Sequence, residues 1–154
     1  MKFSQALTMA RQIFPNVVVD MEDCFHEEQV VTLKQATTVH VVTRLDFTSL
    51  RNARRILTHL KDLEIQRQQI KIVINRSGQP NELPASEAEE ALGQKVCYYI
   101  PDDAKTMNGA NNAGRPAVLK DPGAKVSQSI VQLSKTAFES NRSAPITMIA
   151  TAAS

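Results

Sequence analysis

Ile72-Val73-Ile74-Asn75-Arg76 and Tyr99-Ile100-Pro101-Asp102-Asp103 carry the reading of the fold. Each is an apolar run that stops abruptly at polar side chains. An unbroken apolar run, rather than an alternating one, suits a strand buried on both faces of a parallel sheet. These runs predict strands over 70–74 and 96–100. Working outward, Val17-Val18-Val19, ending in Asp20, reads as a buried strand, and Val39-His40-Val41-Val42-Thr43 reads as another. Proline and aspartate directly after an apolar run end a ladder and begin a turn or a helix cap.

Helical spacing fills the gaps between these strands. Phe3, Leu7, Ala10 and Phe14 share one face over 2–14, and Pro15-Asn16 stops that helix. Val30, Val31 and Leu33 suggest a short helix. Phe47, Leu50, Ala53, Leu57, Leu60 and Leu63 recur at three- and four-residue steps and predict a helix over 47–63. Ser86 and Glu89 have the spacing of a capping box, which places a helix at 86–92 closed by Gly93. Asp121-Pro122 reads as a helix start, with Val126, Ile130, Leu133 and Ala137 facing the core to about 139. Residues 141–154 are small and polar and read as a flexible tail. Strands alternating with helices argue for an α/β domain over 1–140, with a mostly parallel sheet flanked by helices.

Composition narrows the classes. A chain of 154 residues is one domain by length, with 42% hydrophobic and 22% charged residues. The formal charge of +2 gives no field that would announce a specific nucleic-acid partner. Two cysteines, Cys24 and Cys97, fit a reduced, cytoplasmic protein. The start Met1-Lys2-Phe3-Ser4-Gln5 has no signal-peptide pattern, and no run approaches the roughly 20 apolar residues of a membrane span.

Several residues could carry chemistry. Asp20 stands where open α/β sheets bind ligands, and there it could hold magnesium, directly or through water; it could equally cap a turn. Asn75 could donate to and accept from an adenine edge, or simply begin the turn at Ser77-Gly78. Pro101 and Asp102 would form a ledge beside a pocket. Arg51, Arg54, Arg55 and Lys61 form a basic helix face, either solvated or a docking surface. His26, His40 and His59 lack metal-ligand spacing with the cysteines. Asn108–Gly114 contains two glycines but no Lys-Ser/Thr, so it reads as a loop. None of the five glycines is followed by lysine, so no Gly-x-x-x-x-Gly-Lys-Ser/Thr phosphate loop is present.

Taken in order, these pieces resemble a known family. Strand-Asp20, Ser49-Leu50-Arg51-Asn52-Ala53, Asn75-Arg76, Pro101-Asp102-Asp103 and Ala110-Asn111-Asn112-Ala113-Gly114-Arg115-Pro116 are similar to the C-terminal half of MinD/ParA-type P-loop ATPases. The likeness is strongest to the CpaE/TadZ branch, which positions pilus-assembly machinery, and it covers roughly residues 5–138. The resemblance implies a P-loop NTPase-like sheet lacking its N-terminal strand-loop-helix. It implies ATP with magnesium as the inherited ligand, Asp20 as a Walker B-like acid, Asn75 and Arg76 at the adenine, and Pro101 and Asp102 along base and ribose. Expected partners are proteins of pilus or secretion assembly, a chain supplying the missing half, or a second copy. Without the Walker A amides and lysines the triphosphate has no cradle, so the chain alone is expected to be inactive. Met21-Glu22-Asp23 adds carboxylates where phosphates would lie. The missing half would also supply a central strand, so an open apolar edge is expected, to be covered by rearrangement or by another chain.

Other classes fit less well. A non-catalytic interaction module docking through 51–61 stays open. A response-regulator receiver does not, because the third strand ends in Asn75 rather than an aspartate and no late strand leads into Lys-Pro.

Overall fold

The computed structural model describes residues 3–22, 26–139 and 146–151. The elements run α1 (Phe3–Ile13), β1 (Val17–Met21), α2 (Glu27–Gln35), β2 (Thr38–Thr43), α3 (Phe47–Asp62), β3 (Ile70–Ser77), α4 (Ala85–Leu92), β4 (Val96–Pro101), α5 (Ala104–Asn112), α6 (Ala117–Lys120), α7 (Lys125–Glu139) and β5 (Ile146–Thr151). The five strands form one parallel sheet in the order β1-β5-β2-β3-β4. The α/β class with a parallel sheet flanked by helices is the expected one.

The connections from β1 to β2, β2 to β3 and β3 to β4 all step in one direction across the sheet. The return from β4 to β5 runs the other way. Parallel crossovers are right-handed, so reversing direction moves the helices to the opposite face. The core divides accordingly. Leu33 of α2, Ala53, Ile56 and Leu60 of α3, and Ala88 of α4 pack on Val39, Val41, Ile72 and Ile74, and Leu7 of α1 joins them. On the other face Val73 and Ile100 meet Val126 of α7, with Met107 of α5 and Ile130 and Leu133 against them. Neighbouring residues of β3 therefore serve opposite cores, which is why its apolar run does not alternate.

Several expectations are corrected. Residues 146–151 are not a frayed tail. They form β5, a central strand paired in parallel with both β1 and β2; residues 141–145 and 152–154 lie outside the described set, as does Cys24. β1 is not covered on both faces, because it lies at the sheet edge with Val18 51% exposed. Ser86 does not cap α4. Pro84 stands at that position without a side-chain cap, and Glu89 instead accepts from the Val96 N–H at 2.9 Å and pairs with Lys95 at 2.8 Å. The loop expected at 108–114 is largely helix α5, whose N-cap Asp103 accepts from the Thr106 N–H at 2.9 Å. Pro122 does not open the last helix, which begins at Lys125 after the short helix α6. The Gly93 stop holds: its φ of 65° is the left-handed C-cap that glycine adopts without a steric cost.

Candidate functional site

In an open α/β sheet, ligands bind beyond the carboxyl ends of two neighbouring strands whose connections leave to opposite faces. Here those strands are β3, which leads to α4, and β4, which leads to α5. The crevice between them lies at Asn75, Arg76 and Ser77 on one side and Pro101, Asp102 and Asp103 on the other. The two runs that decide the fold therefore also meet at the position where such a fold places its site.

The crevice is closed by its own side chains. Arg76 donates from Nε to Asp102 Oδ1 at 3.0 Å, and Gln79 donates from Nε2 to Asp102 Oδ2 at 3.3 Å. The Asp102 N–H donates to the Ser77 carbonyl at 2.8 Å. The Ser77 hydroxyl reaches the Ile100 carbonyl at 3.3 Å. Ser77 pairs with Pro101 after a register shift that follows Ile74, so the β3–β4 ladder is irregular where the crevice opens. Arg76 has a φ of 58°, a left-handed conformation that costs a long side chain about 1–2 kcal/mol. Local strain of this kind concentrates at ligand sites and needs outside support. An exposed ion pair of the Arg76–Asp102 type offsets only about 0.2–1 kcal/mol of it.

Asn75 is half-buried at the end of β3, and its Oδ1 accepts the Arg76 N–H at 3.0 Å. That contact fixes the amide and occupies its acceptor. Pro101 is half-buried beside it, and Tyr99 is 43% exposed on the same strand. Asn75, Tyr99 and Pro101 thus stand together at this end of the sheet.

Asp20, expected at the phosphate end, stands apart from them. Asp20 is exposed on β1, separated from β3 by β5 and β2. At about 4.8 Å per strand, three steps put it roughly 14 Å from the Asn75 strand. Among the described residues, no group of three His, Cys, Asp or Glu side chains could hold a metal ion. Asp20 belongs to no such cluster, and Asp23 lies outside the described residues.

The end of β2 carries a network that the sequence reading did not single out. Asp46 caps α3, accepting from the Ser49 N–H at 2.9 Å on Oδ1 and from the Ser49 hydroxyl at 2.8 Å on Oδ2, while Arg44 Nε lies 3.1 Å from the same Oδ2. Burial pushes the Asp46 carboxyl up, but the two Ser49 hydrogen bonds and the Arg44 charge outweigh it and hold it below its ordinary value. Thr106, through its hydroxyl and then its N–H, likewise lowers Asp103. Asp46 stands three residues before Ser49, an N-cap spacing legible in the sequence. Gln79 left no such signal, because it reaches Asp102 only across the turn made by Gly78, whose φ is 94°. On α3, Arg51, Arg54, Arg55 and Lys61 are exposed. The exposed thiol of Cys97 is free. No helix among the described residues is long and apolar enough to cross a membrane.

No family model matches the sequence, and no curated protein matches it. Solved structures do. A ParA family ATPase from Chlorobium tepidum TLS superimposes with a TM-score of 0.81 at 23% identity, over 87% of this chain and 57% of that one. The cell division ATPase MinD of Pyrococcus furiosus gives 0.75 at 19% identity, over 91% and 58%. The septum site-determining protein MinD of Pyrococcus horikoshii OT3, complexed with Mg-ADP, gives 0.61 at 19%, over 73% and 46%. The class is thus an α/β fold of the ParA/MinD type. This chain spans a little over half the length of the first two structures.

Proposed function

We propose that this chain is a CpaE/TadZ-like protein of the ParA/MinD class that acts in the cytoplasm, in localising or assembling pilus or secretion machinery. It holds the base side of an adenine nucleotide between β3 and β4. The phosphates and magnesium need groups from another polypeptide. The observation that carries this reading is the meeting of Asn75, Arg76, Pro101 and Asp102 at the switch point of a ParA/MinD-type sheet. Two further observations support it. A MinD with this fold is complexed with Mg-ADP, and another forms a complex with MinC. The CpaE/TadZ branch rests on the string from Ser49-Leu50-Arg51-Asn52-Ala53 through Asn111-Asn112-Ala113-Gly114-Arg115-Pro116.

The division of labour has a measurable consequence. Where the phosphates meet no grip, adenosine, ADP and ATP bind the chain alone with similar affinity and ATP is not hydrolysed. Calorimetric titration checks this, and Asn75→Ala is expected to weaken all three ligands alike, by about 1–3 kcal/mol. ADP bound a hundredfold more tightly than adenosine would show a phosphate grip in this chain and defeat the proposal. A second reading, docking of a protein partner, is favoured by the exposed Arg51, Arg54, Arg55 and Lys61 on α3. Charge reversal at Arg54 and Arg55 tests it, since capture of such a partner is then lost while the fold persists.

A further inference from the structure

A cavity of about 300 Å³ opens at the end of the sheet opposite the β3–β4 crevice. It lies on the α7 face, among the first residues of β2, β3 and β4 and the last turns of α7. His40 and Lys71 are register partners on β2 and β3. Lys71 stands two residues before Val73, so it shares the side of β3 that meets α7. Ile72 pairs with Val96 and Val73 with Tyr98, which leaves Cys97 as the extra residue of a bulge. Cys97 is exposed at the cavity and its thiol is free. Across the gap α7 has passed Ile130 and Leu133, which pack into the core, and presents the small Ala137.

The polar groups around this space are unspent. Among the described residues the Lys71 ammonium and the Thr38 and Tyr98 hydroxyls have no hydrogen-bond or ion-pair partner, and no carboxylate side chain lines the cavity. A lysine near a helix C-terminus commonly donates to the last carbonyls; Lys71 donates to none that is described. It is half-buried, and a cation drawn partly out of water without a counter-charge is stabilised when an anion meets it. The rings of His40, which is buried, and Tyr98 stand 6.5 Å apart at their centroids and give the cavity an apolar side. Pockets for small molecules run from about 300 to 1,000 Å³, so an occupant here is a small one.

We infer that this cavity binds a small organic carboxylate. Lys71 takes its charge, the Thr38 and Tyr98 hydroxyls donate to its oxygens, and its short carbon body lies along the His40 and Tyr98 rings. A phosphate fits less well. It brings a second negative charge to a site with one ammonium, beside the carbonyl end of α7, whose partial negative charge opposes every charge added. The inference is independent of the nucleotide reading, because the two sites lie at opposite ends of the sheet.

Cys97 reports on the site. Iodoacetate is itself a small carboxylate, and iodoacetamide is its neutral counterpart; with either, the Cys97 thiolate displaces iodide and forms a thioether. Labelling is followed by mass spectrometry on the peptide holding Cys97, separated from that of Cys24. In the native chain the rate with iodoacetate is expected to saturate as its concentration rises, while the rate with iodoacetamide stays linear. The ratio of the two rates is expected to exceed that of the urea-unfolded chain by roughly fivefold or more. Lys71→Gln is expected to return the ratio to the unfolded value and Lys71→Arg to keep most of it, with matching thermal melts showing that both variants fold. A lysine that only attracted anions to an open surface would raise the ratio without saturation. Propionate is expected to protect Cys97 from iodoacetate, and inorganic phosphate at the same concentration is not. Absence of saturation, a ratio unchanged by folding or by Lys71→Gln, or equal protection by phosphate and propionate overturns the inference.

Discussion

Single side chains at the strand ends decide how far this fold is organised before any ligand arrives. Asp46 accepts two hydrogen bonds from Ser49 and lies against Arg44, so it satisfies the first turn of α3 as an N-cap. Asp46→Ala is expected to cost about 1 kcal/mol in urea unfolding. The same residue contributes to the acid limb of stability. Its carboxyl is held below its ordinary value in the folded chain, as is that of Asp103. Their contribution is therefore complete above the unfolded carboxylate value, near pH 4, and is lost as pH falls through the folded values. Melting temperature is expected to be flat in these groups above about pH 5 and to fall below about pH 4, with a shallower fall in Asp46→Asn. A residue in tension with its backbone behaves differently. Arg76 holds a left-handed conformation and gives its guanidinium to Asp102. Arg76→Gly relieves about 1–2 kcal/mol of strain and loses a pair of about 0.2–1 kcal/mol, so unfolding is expected to show a small net stabilisation. Arg76→Ala keeps the strain and loses the pair, and is expected to destabilise.

At the scale of elements, α4 shows what a sequence pattern conveys and what it leaves out. Ser86 and Glu89 have capping-box spacing, yet Glu89 points to Val96 and Lys95 and the helix starts one residue earlier. Ser86→Ala is accordingly expected to change stability by less than about 0.5 kcal/mol. Gly93→Ala is expected to cost about 1 kcal/mol, because φ there is 65° although no atom lies within 4 Å of an added Cβ. Urea unfolding of the two variants separates a cap that spacing suggested from a stop that backbone geometry requires. The same contrast runs through the chain. β2, β3 and α3 are legible because burial on both faces, or on one helix face, writes itself as an apolar run or a 3.6-residue stripe. β5 was not, because Ile-Thr-Met-Ile-Ala-Thr is short, contains two threonines and follows a polar stretch. Its place in the sheet is set by two distant partners, β1 and β2, and not by its own pattern. The edge position of β1 was hidden for the converse reason, since Val17-Val18-Val19 reads as a strand covered on both faces while its outer side is open. The Gln79–Asp102 bond depends on a glycine turn and a register shift, neither of which spacing encodes.

For the whole molecule, the position of β5 sets the order of assembly. Among the described residues β1 makes its ladder only with β5, and β5 makes ladders with both β1 and β2. Without residues 146–151, β1 and β2 stand two strand spacings apart, about 10 Å, too far to hydrogen-bond directly. The core beneath them is shared: Val17, Val19, Met21, Leu7 and Leu33 pack with Val39 and Val41 in one cluster. Removing the strand between leaves unpaired N–H and C=O groups on both flanks and opens that cluster to water, whereas the second cluster, under Val73, Ile100 and Val126, keeps its partners. A chain ending at residue 139 is therefore expected to lose cooperative unfolding in its first third while retaining protection in β3, β4 and α7. Amide hydrogen exchange followed by mass spectrometry checks this. Fast exchange confined to 3–43 with slow exchange over 70–77 and 96–101 is the expected pattern. Uniform protection in the shortened chain would show that β1 reaches β2 by another route, and uniform exchange would show that both clusters fold as one unit. The expected asymmetry follows from topology: the pair β3–β4 is built from sequence-adjacent units, while the β1 end is held by the last strand of the described chain.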